Sequence, residues 1–227
     1  MDYSKILLVG EPMCLFRSNE EGVPLFQVSQ YSTGIAGAEL NVAIGLTRLG
    51  HQATYVTKVG NDPFGHMIAS QLEKTGISTR FFSFSDTHRT GLVFKEKVSC
   101  GDPEIFYIRA GSAASTLSPA DIKSIDFSDY SAIHMTGILP ALSESCRQTA
   151  FRLKEKAQQA GLLVSFDPNL RLPLWPSPAE ARAQILWSLC QADVVKLSDE
   201  EVDFLWGCSP QEGARRLLEE CGVSLAM

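Results

Sequence analysis

The run Gly34-Ile35-Ala36-Gly37-Ala38-Glu39-Leu40-Asn41 is the stretch whose residue types come nearest to a binding loop. Its glycines let a ligand approach the backbone, and it opens into a helix whose first N–H groups favour polar or anionic partners. Asn41 stands one turn inside, where its amide reaches the same place. A tight strand-to-helix turn uses the same residues, so the run alone leaves both readings open. The remaining chemistry-bearing residues form no constellation. His51, His66, His88 and His134 lie far apart without metal-ligand spacing, and His134 reads as a satisfied buried strand residue. No G-x-S-x-G elbow or Walker loop occurs, and Gly10-Glu11-Pro12 stands where a dinucleotide fingerprint would follow the first strand, which disfavours a dinucleotide oxidoreductase. Cys14, Cys100, Cys146, Cys190, Cys208 and Cys221 are scattered with no C-x-x-C pair, and read as six reduced thiols of a cytoplasmic protein.

Any such site must be positioned by alternating strands and helices. Residues 5–10 (KILLVG), 53–59 (ATYVTKV), 132–136 (AIHMT), 162–166 (LLVSF) and 193–197 (DVVKL) read as buried strands. Helices are expected at 38–49, from the Asp62-Pro63 cap to Gly76, at 143–160, and after three S-x-x-E capping boxes at Ser177, Ser198 and Ser209. Strand, helix, strand at this spacing predicts an α/β fold with a mostly parallel sheet covered on both faces. Two stretches, about 11–33 and 88–112, hold strand-like pieces without helices. They read as hairpins, turning at Asn19-Glu20-Glu21-Gly22 and Cys100-Gly101-Asp102-Pro103, and as a small sheet standing off the main body. After Gly222 the apolar pentapeptide Val223-Ser224-Leu225-Ala226-Met227 begins another buried strand, so the chain is expected to stop in mid-sheet as one incomplete domain, 1–227.

Composition narrows the partners. Twenty basic against 26 acidic residues give a formal charge of −6, which argues against broad nucleic-acid or anionic-membrane binding. No apolar run approaches the length of a membrane-spanning helix, and the N-terminal apolar run is too short for a signal peptide.

Together, G-x-A-G-A-x-x-N, Arg48-Leu49-Gly50, Val59-Gly60-Asn61-Asp62-Pro63-Phe64-Gly65, Asp167-Pro168-Asn169-Leu170-Arg171 and Lys196-Leu197-Ser198-Asp199-Glu200-Glu201 resemble the ribokinase-like (PfkB) carbohydrate kinase family. Tyr107-Ile108-Arg109-Ala110-Gly111-Ser112-Ala113, His134-Met135-Thr136-Gly137-Ile138 and D-P-N-L-R continued by L-P-L-W-P are most similar to the 2-dehydro-3-deoxygluconate kinases within it. The resemblance implies a ribokinase-like α/β domain with a β lid, ATP and magnesium as cofactors, and a terminal hydroxyl of a sugar acid as phosphoryl acceptor. It implies that Gly34, Ile35, Ala36, Gly37, Ala38 and Asn41 contact the sugar, and that Tyr107 and Arg109 receive its carboxylate. Arg171 would bridge sugar and phosphate, with Asn169, Lys196, Ser198 and Glu201 on the nucleotide side and Glu201 organising magnesium through water. It also implies a homodimer joined through the lid.

The sequence departs from the family at three places. Ser198 replaces the asparagine of N-x-x-E, and Val93 stands where the sugar-acid kinases carry tyrosine. The G-A-G-D motif, whose aspartate deprotonates the sugar and whose amides stabilise the transferring phosphoryl group, does not occur. The chain is therefore expected to keep the sugar side and to be inactive alone. The alternatives are a non-catalytic sugar-binding protein and a kinase for fructose, ribose or another neutral sugar.

Overall fold

The computed structural model describes residues 5–227. Its larger sheet has seven parallel strands in the order β11-β10-β9-β8-β1-β4-β5. They are β1 (Lys5–Val9), β4 (Gln52–Gly60), β5 (Ser78–Ser85), β8 (Ala132–Thr136), β9 (Leu163–Asp167), β10 (Val194–Val195) and β11 (Leu225–Ala226). Strand β1 shows why the sheet is buried on both sides. Its Ile6 and Leu8 pack with Leu40 and Ala43 of α1 (Ala38–Arg48) and with Ile68 and Leu72 of α2 (Pro63–Lys74). Its Leu7 and Val9 point the opposite way, to Leu153 of α4 (Glu144–Gln159) and Ile185 of α5 (Pro178–Leu189). Period-two alternation thus feeds two helical layers with apolar side chains, which is the burial that parallel strands require.

The caps act where the residue types place them. Asp62 accepts N–H bonds from Phe64 and Gly65 at the start of α2, and Ser143 does so from Cys146 at α4. Ser177 and Ser209 each accept one N–H bond at α5 and α7 (Pro210–Glu220). Only Ser198, opening α6 (Asp199–Trp206), forms the reciprocal box with its glutamate.

A second, four-stranded sheet has the order β3-β2-β6-β7. It joins two hairpins, β2 (Met13–Glu21) with β3 (Tyr31–Ala36) and β6 (Gly91–Lys97) with β7 (Ile105–Ile108), through a parallel β2–β6 pairing. One of its faces is held by an aromatic cluster, Phe16 stacked on Phe94 at 4.8 Å with Tyr31 edge-on to both rings and Phe64 of α2 edge-on to Phe16.

Several expectations are corrected. The first hairpin does not turn at Asn19-Glu20-Glu21-Gly22: β2 continues through Glu21, and the connection spans 22–30 with a short 3-10 turn at Leu25–Gln27. Here Glu20 stabilises the longer loop, its Oε1 accepting from the N–H groups of Ser29 and Gln30. Strand β5 and the short α3 (Ile138–Leu142) were not expected, because STRFFSFS lacks clean alternation and ILPAL carries a proline. Nor are the six thiols all separate. Cys190 and Cys221, the C-caps of α5 and α7, form a disulfide with Cα atoms 4.3 Å apart. Both helices lead into adjacent parallel strands from the same side of the sheet, so residues 31 positions apart end up side by side.

Candidate functional site

The chain winds from β1 outward to β4 and β5, then returns to place β8 on the other side of β1. That reversal opens a crevice beyond the C-terminal ends of β1 and β8, the place where open α/β sheets bind ligands. The second sheet stands over this crevice, and the two enclose a cavity of about 400 Å³.

Three segments from the larger sheet reach the cavity. Glu11 follows β1 directly, Ile138 follows β8, and Asn169 and Arg171 follow β9. The β3–α1 junction supplies Ile35, Ala36, Gly37, Ala38, Glu39 and Asn41. Gly37 is required at that junction. Its φ is +151°, and an added Cβ would stand 3.0 Å from the carbonyl oxygen of Glu11 and 3.1 Å from Leu40 Cβ. Gly34 is absent from the cavity wall and lies opposite Leu15 in the β2–β3 pairing. Tyr107 and Arg109 enter from β7 and the residues after it, with the guanidinium carbon 5.6 Å from the tyrosine ring centre.

Arg109 is engaged by a residue that sequence reasoning missed. Its Nε donates to Glu11 Oε2 at 2.8 Å, its Nη2 donates to the same oxygen, and Ser112 Oγ donates to Glu11 Oε1 at 2.5 Å. The Glu11 side chain is wholly buried and that of Arg109 nearly so. Glu11 was legible in principle, since it is the first residue past Gly10 at the strand end where ligands bind.

Glu39 is the second missed carboxyl. It lies in the first turn of α1 and is fully buried, with Thr136 Oγ1 donating to its Oε1 at 2.5 Å. Its Oε2 has no hydrogen-bond partner. Burial raises its pKa to about 7, against the opposing effect of the Thr136 hydrogen bond. Gly10 makes room for this side chain, because a Cβ there would occupy the volume of the carboxylate. Thr136 accepts in turn from the Ile138 N–H at 3.0 Å, so Glu39 is tied to the β8–α3 turn.

The residues expected on the nucleotide side fall into two groups. Asn169 and Arg171 line the cavity, Asn169 with a φ of +39° that its N–H bond to Asp167 Oδ1 supports at 3.0 Å. Lys196, Ser198 and Glu201 do not line it. Lys196 is half-exposed, its Nζ 3.6 Å from Asp167. Glu201 is buried, and both oxygens accept backbone N–H bonds, one from Leu170 at 2.7 Å and one from Ser198 at 2.9 Å. It ties the start of α6 to the turn that presents Asn169 and Arg171. Among the described residues no group of three or more His, Cys, Asp or Glu side chains is arranged to hold a metal, and no helix is long and apolar enough to cross a membrane.

The comparisons with known proteins agree with this geometry. The chain is 44% identical over 171 residues to the 2-dehydro-3-deoxygluconokinase of Bacillus subtilis, covering 75% of this chain and 52% of that protein. It is 38% identical over 202 residues to probable fructokinase-2 of Arabidopsis thaliana, covering 89% and 61%. The chain thus spans less than two thirds of these curated relatives. The solved PfkB protein from Polaromonas sp. JS666 superposes with a TM-score of 0.92 at 35% identity, covering 98% of this chain and 75% of that one. A sugar kinase from Pyrococcus horikoshii, solved in complex with ATP, does so with a TM-score of 0.80 at 30% identity, covering 89% and 66%. Residues 4–225 match the profile of the pfkB family carbohydrate kinases. With its parallel sheet, its second sheet over the strand ends and its cavity at the β1–β8 crevice, the chain belongs to the pfkB family of carbohydrate kinases.

Proposed function

We propose that the cavity binds a sugar acid, best described as 2-dehydro-3-deoxy-D-gluconate, whose terminal hydroxyl is the acceptor in an ATP-dependent phosphorylation. The observation that carries this reading is the cavity wall itself. It combines the backbone of 35–38 and the amide of Asn41 with Tyr107, Arg109 and Arg171, a set rich in donors for hydroxyls and an anionic group. The 44% identity to the Bacillus subtilis sugar-acid kinase supports the same substrate class. The neutral-sugar alternative draws on the 38% identity to the plant fructokinase and on Val93, whose apolar side chain faces the cavity.

In this reading the second sheet is a lid formed by the insertions at about 11–33 and 88–112 of the single 1–227 domain. Gly37 keeps the β3–α1 turn close enough for its backbone to meet sugar hydroxyls. Arg109, oriented by Glu11, presents its remaining N–H groups with Tyr107 beside it. Gly34 contributes through the backbone it shares with Ile35 rather than by direct contact.

ATP with magnesium supplies the phosphoryl group when bound, and its phosphates fit the cationic Arg171 and Lys196 on neighbouring strand ends. Asn169 and Ser198 belong to the same edge. Glu201, its carboxylate already held by two backbone N–H bonds, would help to hold magnesium through water. The catalytic G-A-G-D motif does not occur in these 227 residues. The chain alone therefore binds the sugar without turning it over. A cytoplasmic location and pairing of two copies through the lid belong to the same proposal.

The experiment is a calorimetric titration with 2-dehydro-3-deoxy-D-gluconate and with D-fructose, run beside a coupled ADP-release assay. Binding of the acid without ADP release is the expected result. A folded chain that binds neither sugar overturns the reading, preference for fructose replaces the substrate class, and sustained turnover overturns the requirement for G-A-G-D.

A further inference from the structure

The bond between Cys190 and Cys221 has no part in the cavity described above. It lies at the other end of the sheet, where α5 and α7 stop before β10 and β11 begin. Both cysteines line a separate groove of about 550 Å³ with Gln158, Gln191, Asp193 and Ser224. Cys190 is exposed and Cys221 half-buried, so the bond is approached from the Cys190 side. Gln158 Nε2 donates to Gln191 Oε1 at 2.9 Å beside it, and Asp193 Oδ2 accepts from the Val164 N–H at 2.8 Å. Amides and hydroxyls of this kind pair with the peptide groups of a small thiol such as a cysteine-containing tripeptide.

What the bond holds is a lightly anchored edge. Strand β11 is outermost in the sheet and pairs with β10 through two residues, Val194 with Leu225 and Val195 with Ala226. Helix α7 has Gly213 and Leu217 as its buried residues, and its Arg215 ion pairs with Glu212 and Glu219 are exposed and add little. A cross-link that ties this edge to α5 therefore supplies much of its order. The edge also reaches Lys196 and Ser198, because the Leu197 N–H between them donates to the Met227 carbonyl at 2.8 Å.

We propose that Cys190–Cys221 is a thiol-exchange site, at which a low-molecular-weight thiol seats in the groove, opens the bond and releases α7 and β11 from the body of the sheet. A disulfide in a thiol-rich cytoplasm is usually a transient, redox-sensing one, which fits the location proposed above. The site itself does not depend on which sugar the cavity takes. The exchange balances in two steps. A thiolate attacks Cys190 Sγ and forms a mixed disulfide there, while the Cys190–Cys221 bond breaks and its electron pair leaves on Cys221 Sγ, which takes a proton from water. A second thiolate attacks the small thiol's sulfur and releases Cys190. Two small thiols are oxidised to one disulfide, and the protein pair is reduced by two electrons.

The test uses reduced glutathione as the probe. The folded chain is treated with it in excess, alkylated at timed intervals and mapped by mass spectrometry. Hydrogen exchange is then compared among the oxidised chain, the reduced chain and the Cys190→Ser/Cys221→Ser double variant, with circular dichroism checking that each is folded. The expected result is a mixed disulfide at Cys190 in the folded protein. Exchange across 210–226 should rise about tenfold or more on reduction, with β1 and β4 unchanged. The folded double variant should show that faster exchange without glutathione and no response to it. Resistance of the folded chain to glutathione, with reduction only in denaturant, overturns the proposal. So do adducts confined to Cys221, Cys100 or Cys208, and reduction that leaves exchange across 210–226 unchanged. A folded chain with six free thiols that oxidised glutathione does not close overturns it as well. The comparison of oxidised with reduced wild type decides the matter even where the double variant does not fold.

Discussion

Arg109 and Glu11 illustrate how a residue read as a ligand donor is first a partner of its own protein. A buried ion pair brings little net stability over an apolar pair of the same shape, yet removing one partner strands the other charge. Arg109→Met is therefore expected to destabilise the fold by about 3 kcal/mol in urea unfolding, with much of that loss recovered in Glu11→Gln/Arg109→Met. Glu39 makes a different prediction. Its pKa is raised from 4.5 to about 7 by burial, so the native state holds a proton that the unfolded chain has released in that window. Stability from this group is full below pH 4.5 and is lost as pH rises through about 7. Relative to Glu39→Gln, the wild type should lose up to about 3 kcal/mol between pH 4.5 and 8, read as the difference of two unfolding curves. Equal pH slopes for the two proteins would overturn this account of Glu39. Glu11 was legible only by its place at a strand end and Glu39 not at all, because a lone glutamate in a helix's first turn is ordinary until the sheet brings both to one cavity.

At the scale of elements, Asp62 was readable as a helix cap, and the structure adds a second task. Its Oδ1 accepts from Phe64, Gly65 and the Thr90 hydroxyl, while its Oδ2 accepts from the Thr90 N–H at 2.9 Å. Partial burial works against its charge, but these hydrogen bonds prevail and hold the carboxyl below its usual pKa. Asp62 thus joins α2 to the residue that leads into β6, and so fixes where the second sheet leaves the first. Asp62→Ala should cost about 2–3 kcal/mol, more than a simple cap, and should raise hydrogen exchange in β6 as well as in α2. Exchange confined to α2 would reduce Asp62 to a cap. The helices were legible because capping chemistry is local. Strand β5 was not, since its alternation is blurred by half-buried residues at the sheet edge.

The whole molecule decides what sequence distance hides. Cys190 and Cys221 meet because α5 and α7 pack on the same face and end on the same edge. Denatured protein prepared without reductant should accordingly react as four thiols, rising to six after reduction. Six thiols from the start would mean that the pair stays open in solution. The parallel order β9-β10-β11 likewise aligns Asp167, Lys196 and the Leu170–Arg171 turn along one edge, which no local signal announces.

By itself the sequence determined the alternation of buried strands and capped helices, the two hairpins and the family motifs, because each is written in residues within a turn or two of one another. Only the tertiary structure decided that Glu11 and Glu39 belong to the cavity, that Gly34 does not line it, that Glu201 is held by backbone N–H groups, and that Cys190 meets Cys221. Those facts depend on strand order and register between segments far apart in the chain. Hydrophobic burial selects that order globally, whereas caps and turns are satisfied locally.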